Sequence, residues 1–294
     1  MTYTLEWRPA CAPAALADEP FDVWRSYEGD VSTTFHRTPT GFFLRFIECG
    51  DYDINLAEQR VICTPAPDVP EDYCENIFSN QILPLLWTYE GTPVLHASGV
   101  VIDGGAFGFL GQSGRGKSTM AAAFARAGYA FLTDDGLLLE REAEGYGVRP
   151  YLPSIRLLPD SRSAVCDGMI DHGDPDTAEA KIRVPCSDTL PHAQGQTPLR
   201  AIYVLKEPES DVPVFEPLSQ ARALDALLQH SFLLDSGDKA RVRRHFAAMS
   251  ALAQECPIFA LDYPRDFSRL ADTIKAIAEH ARAVAPLAMK GPTT

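Results

Sequence analysis

The feature that most constrains this chain of 294 residues is the loop at 111–118, which reads Gly-Gln-Ser-Gly-Arg-Gly-Lys-Ser. It satisfies the whole G-x-x-x-x-G-K-[ST] pattern, follows an apolar run at 106–110 and opens an alanine-rich run at 119–127. A strand, a glycine loop and a helix in that order are the context in which this pattern binds phosphate. The sequence therefore predicts an α/β fold built around a nucleotide-binding loop.

The loop residues have separate expected tasks. Glycines let backbone N–H groups turn onto phosphate oxygens, and the helix N-terminus adds partial positive charge beneath them. Lys117 would reach the outer phosphates, and the Ser118 hydroxyl would ligate magnesium. We therefore expect a nucleoside triphosphate, ATP by default, together with Mg²⁺. The predicted nucleotide-binding residues are Gly111, Gln112, Ser113, Gly114, Arg115, Gly116, Lys117, Ser118 and Thr119.

The composition indicates which partners and which cellular compartment to expect. The net charge of −14 argues against nucleic acid, because there is no basic field to neutralise phosphates. The sequence has no run of about eighteen apolar residues, so we expect no membrane span. Seven scattered cysteines without a C-x-x-C pair favour reduced thiols. With no signal-peptide pattern at the N-terminus, we expect a cytoplasmic protein.

The chain divides into two predicted domains. Residues 1–90 read as a small β-rich N-terminal domain with short strands, closing on a helix at 73–89 that breaks or kinks at Pro84. Residues 91–290 read as the nucleotide-binding domain, in which strands at 93–102 and 106–110 form a hairpin. Later helices are predicted at about 218–232, 238–254 and 267–284, and a long irregular loop is predicted over 160–195.

Two adjacent acids are the strongest chemical signal outside the loop. Asp134 and Asp135 end an apolar strand at 129–133, which we expect to lie beside the strand that leads into the loop. One carboxylate can serve the metal while the other accepts a proton from an attacking hydroxyl. The alternative is an Asp-Asp-Gly turn that only ends a strand.

Other candidates are less specific. His96 lies inside a predicted strand, where a lone histidine is often a core residue. Cations at Arg156, Arg162, Lys181 and Arg183 could stabilise charge on a transferring phosphoryl group, and each could equally be a solvated surface charge.

Taken in order, these segments resemble the catalytic domain of the HPr kinase/phosphorylase family. The shared pieces are Leu-His-Ala-Ser-Gly-Val at 95–100, the loop, the helix-ending Gly128 and Thr-Asp-Asp at 133–135. The resemblance implies an HPr kinase/phosphoenolpyruvate carboxykinase-like fold, a mixed sheet with the loop on a hairpin. It also implies roles for particular residues. Asp135 would accept the substrate hydroxyl proton, assisted by His96, and Ser118 and Asp134 would serve the metal. Arg156 matches the arginine of a downstream signature, in which Ser154 stands where the family has a metal-binding Glu.

The chain looks closer still to the HPr-kinase-like proteins of lasso-peptide biosynthesis, which share Pro-x-Leu-His-Ala-Ser and an Ile-Arg-Leu segment like that at 155–157. Such proteins phosphorylate a serine hydroxyl, in some cases the terminal serine of a precursor peptide. The resemblance thus implies an ATP- and Mg²⁺-dependent kinase, a serine-containing peptide or small-protein acceptor, and a homo-oligomer. Two alternatives stay open: a small-molecule kinase on the same scaffold, and a non-catalytic nucleotide-binding sensor.

Overall fold

The structure, a computed structural model, describes residues 3–26, 28–165 and 181–285. They fall into two compact units, one within Met1–Gly91 and Leu233–Arg244, the other within Thr92–Phe232 and His245–Thr294. The predicted loop at 160–195 is described only in part, since residues 166–180 lie outside the described ranges. None of the helices in those ranges combines the length and the apolar character needed to span a bilayer.

The first unit is built on one six-stranded sheet with the order β1-β6-β5-β4-β3-β2. Its central strands alternate buried and half-buried residues, as expected for a sheet with one face in a core and the other face less covered. The strands are β1 (Thr4–Trp7), β2 (Asp22–Arg25), β3 (Val31–Thr38), β4 (Gly41–Phe46), β5 (Gly50–Asn55) and β6 (Arg60–Pro65).

The helix of the first unit passes through Pro84 by way of a π-helical turn. Helix α1 (Glu71–Ile77) leads into this turn (Phe78–Ile82), and α2 (Leu83–Glu90) follows it. Proline lacks an N–H and its ring clashes with the carbonyl four residues earlier, so the preceding turn widens. The predicted irregularity at Pro84 therefore takes the form of a bulge within one run of helix.

Leu233–Arg244 joins the first unit although it comes late in the chain. Arg37 Nη2 donates to Asp235 Oδ1 at 2.5 Å. The Arg241 guanidinium also lies 3.5 Å from the centre of the Tyr89 ring. Both contacts join residues far apart in sequence, which explains why no local pattern predicts them.

The second unit contains a mixed sheet of nine strands, with the order β10-β8-β9-β15-β12-β11-β7 and with β17 and β16 continuing from β15. The strands of this sheet are β7 (Val94–Leu95), β8 (Ala97–Ile102), β9 (Gly105–Leu110), β10 (Phe131–Thr133), β11 (Leu137–Arg141), β12 (Tyr146–Arg149), β15 (Thr197–Leu205), β16 (Val214–Pro217) and β17 (Ile258–Asp262). The strands β13 (Ser154–Leu157) and β14 (Ile182–Pro185) form a separate antiparallel pair.

Helices cover both faces of the central strands. The bounds are α3 (Lys117–Arg126), α4 (Pro159–Val165), α5 (Gln220–Gln229), α6 (Lys239–Glu255) and α7 (Leu270–Val284), the last preceded by a 3-10 turn (Phe267–Arg269). One core cluster packs sheet residues against α3 and α7, and another packs them against α5 and the second half of α6. Burial on both faces explains why β9 is apolar along its whole length. The fold is thus mixed α/β with a mixed sheet, as the sequence predicts.

Two expectations about the strands are wrong in detail. The strand predicted at 93–102 is divided at His96, because β7 pairs with β11 while β8 pairs with β9 and β10. The strand that ends on the acid pair lies beside β8 instead of β9. A tight hairpin forces β8 and β9 to be neighbours, and β15 pairs in parallel with the other side of β9, so that strand is enclosed.

Candidate active site

The glycine-rich loop joins β9 to α3, and its last glycine is required by a close contact. Gly116 caps α3 with φ 90°, in the left-handed region that favours glycine. A Cβ added there would lie 2.5 Å from the hydroxyl oxygen of Tyr263. That hydroxyl donates to the carbonyl of Arg115 at 3.1 Å. The tyrosine therefore braces the loop from a segment that follows β17, a contact that no sequence pattern indicates.

Lys117 folds back over the loop that it terminates. Its Nζ donates to the carbonyl oxygens of Gly111 at 2.7 Å and Gln112 at 3.2 Å, and the residue is 7% exposed. Burial lowers the pKa of Lys117 to about 8, opposed by the nearby Asp135 and Asp134 carboxylates. Much of this cationic group is thus held away from water, at the point where the sequence predicts contact with phosphates.

Side chains from other elements hold the start of α3. Ser98 on β8 donates to the Lys117 carbonyl at 2.8 Å, and the Thr119 hydroxyl donates to Ser161 on α4 at 2.9 Å. Arg265 donates to the Gly114 carbonyl at 3.3 Å. Of the other predicted loop residues, Gln112, Ser113 and Gly114 are exposed, while Arg115 and Ser118 are half-buried. Hydrogen bonds from other elements thus hold the loop and the start of α3 in place, while residues 112–114 are exposed to solvent.

The predicted acid pair lies in the turn between β10 and β11. Thr133 Oγ1 accepts a hydrogen bond from the Gly136 N–H at 3.3 Å, which closes this turn. Asp134 is 5% exposed and Asp135 is 7% exposed, so both carboxylates are buried. Buried carboxylates are uncommon unless a partner compensates their charge. Asp134 and Asp135 have different partners, and the pKa values of the two carboxyl groups shift in opposite directions.

Asp135 is flanked by two groups that the sequence analysis singles out. His96 Nε2 lies 3.3 Å from Asp135 Oδ1. The Arg156 guanidinium donates to the other oxygen, Oδ2. Burial alone would raise the pKa of Asp135, but His96, Arg156 and Lys181 outweigh it, so the pKa lies below its ordinary value. Asp135 is therefore an ionised carboxylate at neutral pH, with one oxygen on an imidazole and one on a guanidinium.

Asp134 has a different environment. Its Oδ2 accepts the backbone N–H of Arg156 at 2.7 Å, whereas the buried Oδ1 has no hydrogen-bond partner. Burial and then the Asp135 carboxylate raise the pKa of Asp134 to about 6, against opposing effects that include the Ser118 hydroxyl. A buried carboxylate oxygen without a partner, close to a hydroxyl, is a suitable place for a cation.

His96 lies between β7 and β8, where the chain leaves its pairing with β11 and begins to pair with β9 and β10. Its backbone N–H donates to the His230 carbonyl at 2.6 Å, and its ring centre lies 6.0 Å from that of Phe232. Burial lowers its pKa, opposed by Asp135, and its side chain keeps 43% of its surface exposed. The imidazole is therefore a neutral group at neutral pH, open to an incoming molecule.

Two further side chains lie near this cluster, those of Lys181 and His230. Lys181 directly precedes β14, and the pairing of β14 with β13 brings it close enough to affect the pKa of both acids. His230 lies beside Lys117 and His96, and burial together with their charges lowers its pKa to about 4. Both come from segments distant in sequence. The sequence marks Lys181 only as one of four candidate cations, and it gives no signal for His230.

Cation ligands are limited in number here. Within the residues that the structure describes, no group of three or more His, Cys, Asp or Glu side chains has a metal-binding arrangement. Magnesium commonly takes only one or two protein carboxylates, with water and substrate phosphates completing its shell. The Ser118 hydroxyl lies close enough to hydrogen-bond the Asp134 carboxylate, so two oxygen-bearing side chains meet here.

Comparisons with known proteins find similarity among solved structures. A comparison with solved structures found the HPr(Ser) kinase/phosphatase from Coxiella burnetii, at 13% sequence identity and a TM-score of 0.34. The similarity covers 65% of this chain and 98% of that chain. No protein-family model matches the sequence, and no curated protein matches it.

Proposed function

We propose that the protein is an ATP- and Mg²⁺-dependent kinase that transfers the γ-phosphoryl group to a serine hydroxyl of a peptide or small protein. One observation carries the proposal. An ionised acid, Asp135, lies between an imidazole and a guanidinium, and its charge acts on the buried ammonium group of Lys117 at the phosphate loop. Phosphoryl transfer needs a held triphosphate and an oriented hydroxyl, and this cluster offers groups for both.

The triphosphate would lie in the loop at the N-terminus of α3. Backbone N–H groups of the loop and the helix dipole favour anionic oxygens there. Lys117 would exchange the Gly111 and Gln112 carbonyls for phosphate oxygens, a stronger, charge-assisted contact. The two loop carbonyls therefore hold the Lys117 ammonium group where phosphate oxygens would bind it.

Ser118 and Asp134 would hold magnesium. The unpartnered Oδ1 of Asp134 fits this assignment, because a cation would compensate a carboxylate that is otherwise buried beside a second one. When bound, the ion would neutralise charge on the outer phosphate oxygens. Side chains of the protein would orient the acceptor, take its proton and stabilise charge on the transferring group.

Asp135 would orient the acceptor hydroxyl and take its proton. Its lowered pKa makes it a weak base, which suits a loose transition state in which the hydroxyl proton leaves late. His96 would hold Oδ1 in position through its 3.3 Å contact. Arg156, already on Oδ2, would stabilise negative charge on the transferring group.

The peptide acceptor rests on the resemblance to kinases of lasso-peptide biosynthesis, so the acceptor screen is the deciding experiment. The protein is incubated with radiolabelled MgATP and one acceptor in each reaction. The acceptors are peptides ending in serine, the same peptides ending in alanine, glycerol and hexoses. We expect label only on the serine peptides. Label on glycerol or a hexose instead would favour the small-molecule kinase, and tight ATP binding without transfer to any acceptor would favour the sensor.

Lys117→Ala is the variant that ties any transfer to this site. It removes the ammonium group that contacts phosphate, and we expect transfer to be abolished. Lys275→Ala, at an exposed position on α7, is the matched control and should transfer at the wild-type rate. Equal transfer by both variants would contradict the proposed site.

A further inference from the structure

A cavity opens beside the phosphate loop, between the loop itself and a segment after β17 that the proposed chemistry does not use. It measures about 130 Å³ and is bounded by the loop, the first turn of α3 and the segment that follows β17. Among its lining residues are Gly114, Thr119, Met120, Arg265, Phe267 and Leu270. None of the acid-cluster residues lines it, so the loop has a catalytic side and a second, separate side.

We propose that this cavity takes the purine base of the bound nucleotide, an inference that rests on the proposed kinase function. A triphosphate in the loop has two ends. The acid cluster marks the γ-phosphate end, because Asp134 and Asp135 both act on Lys117. The nucleoside must leave from the other end, and the cavity begins at Gly114, Gly116 and Thr119 of the same loop and helix turn.

The size of the cavity fits part of a nucleotide. Pockets that enclose a whole small-molecule ligand usually measure about 300–1,000 Å³. A cavity of 130 Å³ is too small for a complete nucleotide, but the phosphates would lie outside it in the loop. The nucleoside is the part of the nucleotide that remains to be covered, and its base is a flat aromatic ring system.

The walls fit a flat ring in chemistry as well. Phe267 is 48% exposed at this cavity, and an exposed aromatic ring is a stacking platform for a base. Met120 and Leu270 add apolar surface. The guanidinium of Arg265, another lining residue, is held by the carbonyls of Gly114 at 3.3 Å and Lys206 at 3.2 Å. A fixed planar cation is a second group on which a base can stack.

The test compares two probes that share phosphates and differ in the base. Calorimetric titration measures the dissociation constants of ATP and of inorganic tripolyphosphate, both with Mg²⁺, for the wild type and Phe267→Ala. We expect the variant to bind ATP about tenfold more weakly, the loss of one base–aromatic stack, and to bind tripolyphosphate as the wild type does. Phe267→Tyr, which keeps the ring, should restore ATP affinity. Phe246→Ala, at an equally exposed phenylalanine (50%) on α6 outside the cavity, is the matched control.

Each outcome has a distinct meaning. If Phe267→Ala leaves ATP affinity unchanged, or weakens the binding of ATP and tripolyphosphate equally, the assignment of the cavity to the base is wrong. The kinase proposal then still stands. If the variant changes only the Michaelis constant for an acceptor peptide, the cavity belongs to the acceptor and the assignment to a base is overturned. If the wild type binds neither ATP nor tripolyphosphate, both proposals fail together.

Discussion

The Nε2 atom of His96 lies 3.3 Å from Oδ1 of Asp135, and the guanidinium of Arg156 occupies the other oxygen of the same carboxylate. The acid therefore has a charged partner on one side and a neutral, partly exposed partner on the other. An incoming hydroxyl could displace or share the imidazole contact more easily than the ion pair, because the ion pair is charge-assisted. The His96 side of Asp135 is the side from which we expect the acceptor to enter.

The first prediction separates catalysis from nucleotide binding. Asp135→Asn removes the proposed proton acceptor but keeps a side chain of the same size, so kcat should fall by about 100- to 10,000-fold. The ATP dissociation constant should change by less than about threefold, because the loop still carries the phosphate contacts. Single-turnover kinetics and calorimetric titration measure the two quantities. Asp272→Asn, on the exposed surface of α7, is the matched control. Transfer by Asp135→Asn at the wild-type rate would show that Asp135 is not the base.

The second prediction follows from the lowered pKa of Lys117. With a pKa of about 8, the ammonium group is about half deprotonated at pH 8 in the free protein. Triphosphate oxygens would raise this pKa, so ATP binding at pH 8 should take up about half a proton. Titrations in buffers of different ionisation enthalpy measure this uptake, which should be absent at pH 6.5 from this group. In Lys117→Arg the side chain is always charged, so an unchanged uptake would assign the proton to another group.

The third prediction concerns the cost of burying Asp134. Its folded-state pKa of about 6 lies above 3.8, the ordinary value for an aspartate, so the folded protein binds this proton more tightly than the unfolded chain does. The wild type therefore loses stability as the pH rises from about 4 to 6, and the full cost is present above that range. Asp134→Asn removes the charge, and it should raise the free energy of unfolding at pH 8 by about 1–3 kcal/mol. Urea denaturation measures the difference, which should disappear below about pH 4.

The same variant should lose the stabilisation that MgATP gives. If Asp134 serves the metal, MgATP should raise the melting temperature of the wild type far more than that of Asp134→Asn. A variant that is more stable alone and less responsive to MgATP would identify a carboxylate retained for function. A variant that is less stable at pH 8 would contradict the burial cost.

Local signals predicted the elements around the site more successfully than the contacts between them. The glycines of the loop, the Asp103-Gly104 turn and the apolar periodicity are local, so the hairpin of β8 and β9 and the start of α3 follow from the sequence. The predicted helix at 238–254 appears as Lys239–Glu255 for the same reason. Strands of the first unit such as β2 and β3 were not predicted, because they carry polar residues at many positions and depend on pairing for their structure.

Contacts between distant segments account for what the sequence could not supply. The motifs select Asp134, Asp135, His96 and Arg156 as candidates, but only the sheet order brings all four together. Lys181, one of four candidate cations in the sequence, and His230, which no pattern indicates, approach the same cluster from distant segments. The division of the strand at His96 is also a tertiary effect, since it requires β11, β9 and β10 as alternative partners.

The last prediction tests why position 116 is glycine. Gly116→Ala faces two costs: a φ of 90°, which strains a residue with a Cβ by about 1–2 kcal/mol, and a contact of 2.5 Å with the Tyr263 hydroxyl. Tyr263→Phe alone should cost about 0.5–1.5 kcal/mol, the hydrogen bond to the Arg115 carbonyl. In the double variant the contact disappears, since the next tyrosine atom lies 3.8 Å from the added Cβ, and only the backbone strain remains.

The double variant should therefore be less destabilised than the sum of the single variants, by about 0.5 kcal/mol or more. Urea denaturation of the four proteins in the cycle measures this coupling. Tripolyphosphate titration should follow the same order, because Tyr263 supports the loop geometry that we propose for phosphate binding. Additivity within about 0.3 kcal/mol would mean that the loop moves away from Tyr263, and that backbone strain alone selects glycine at this position.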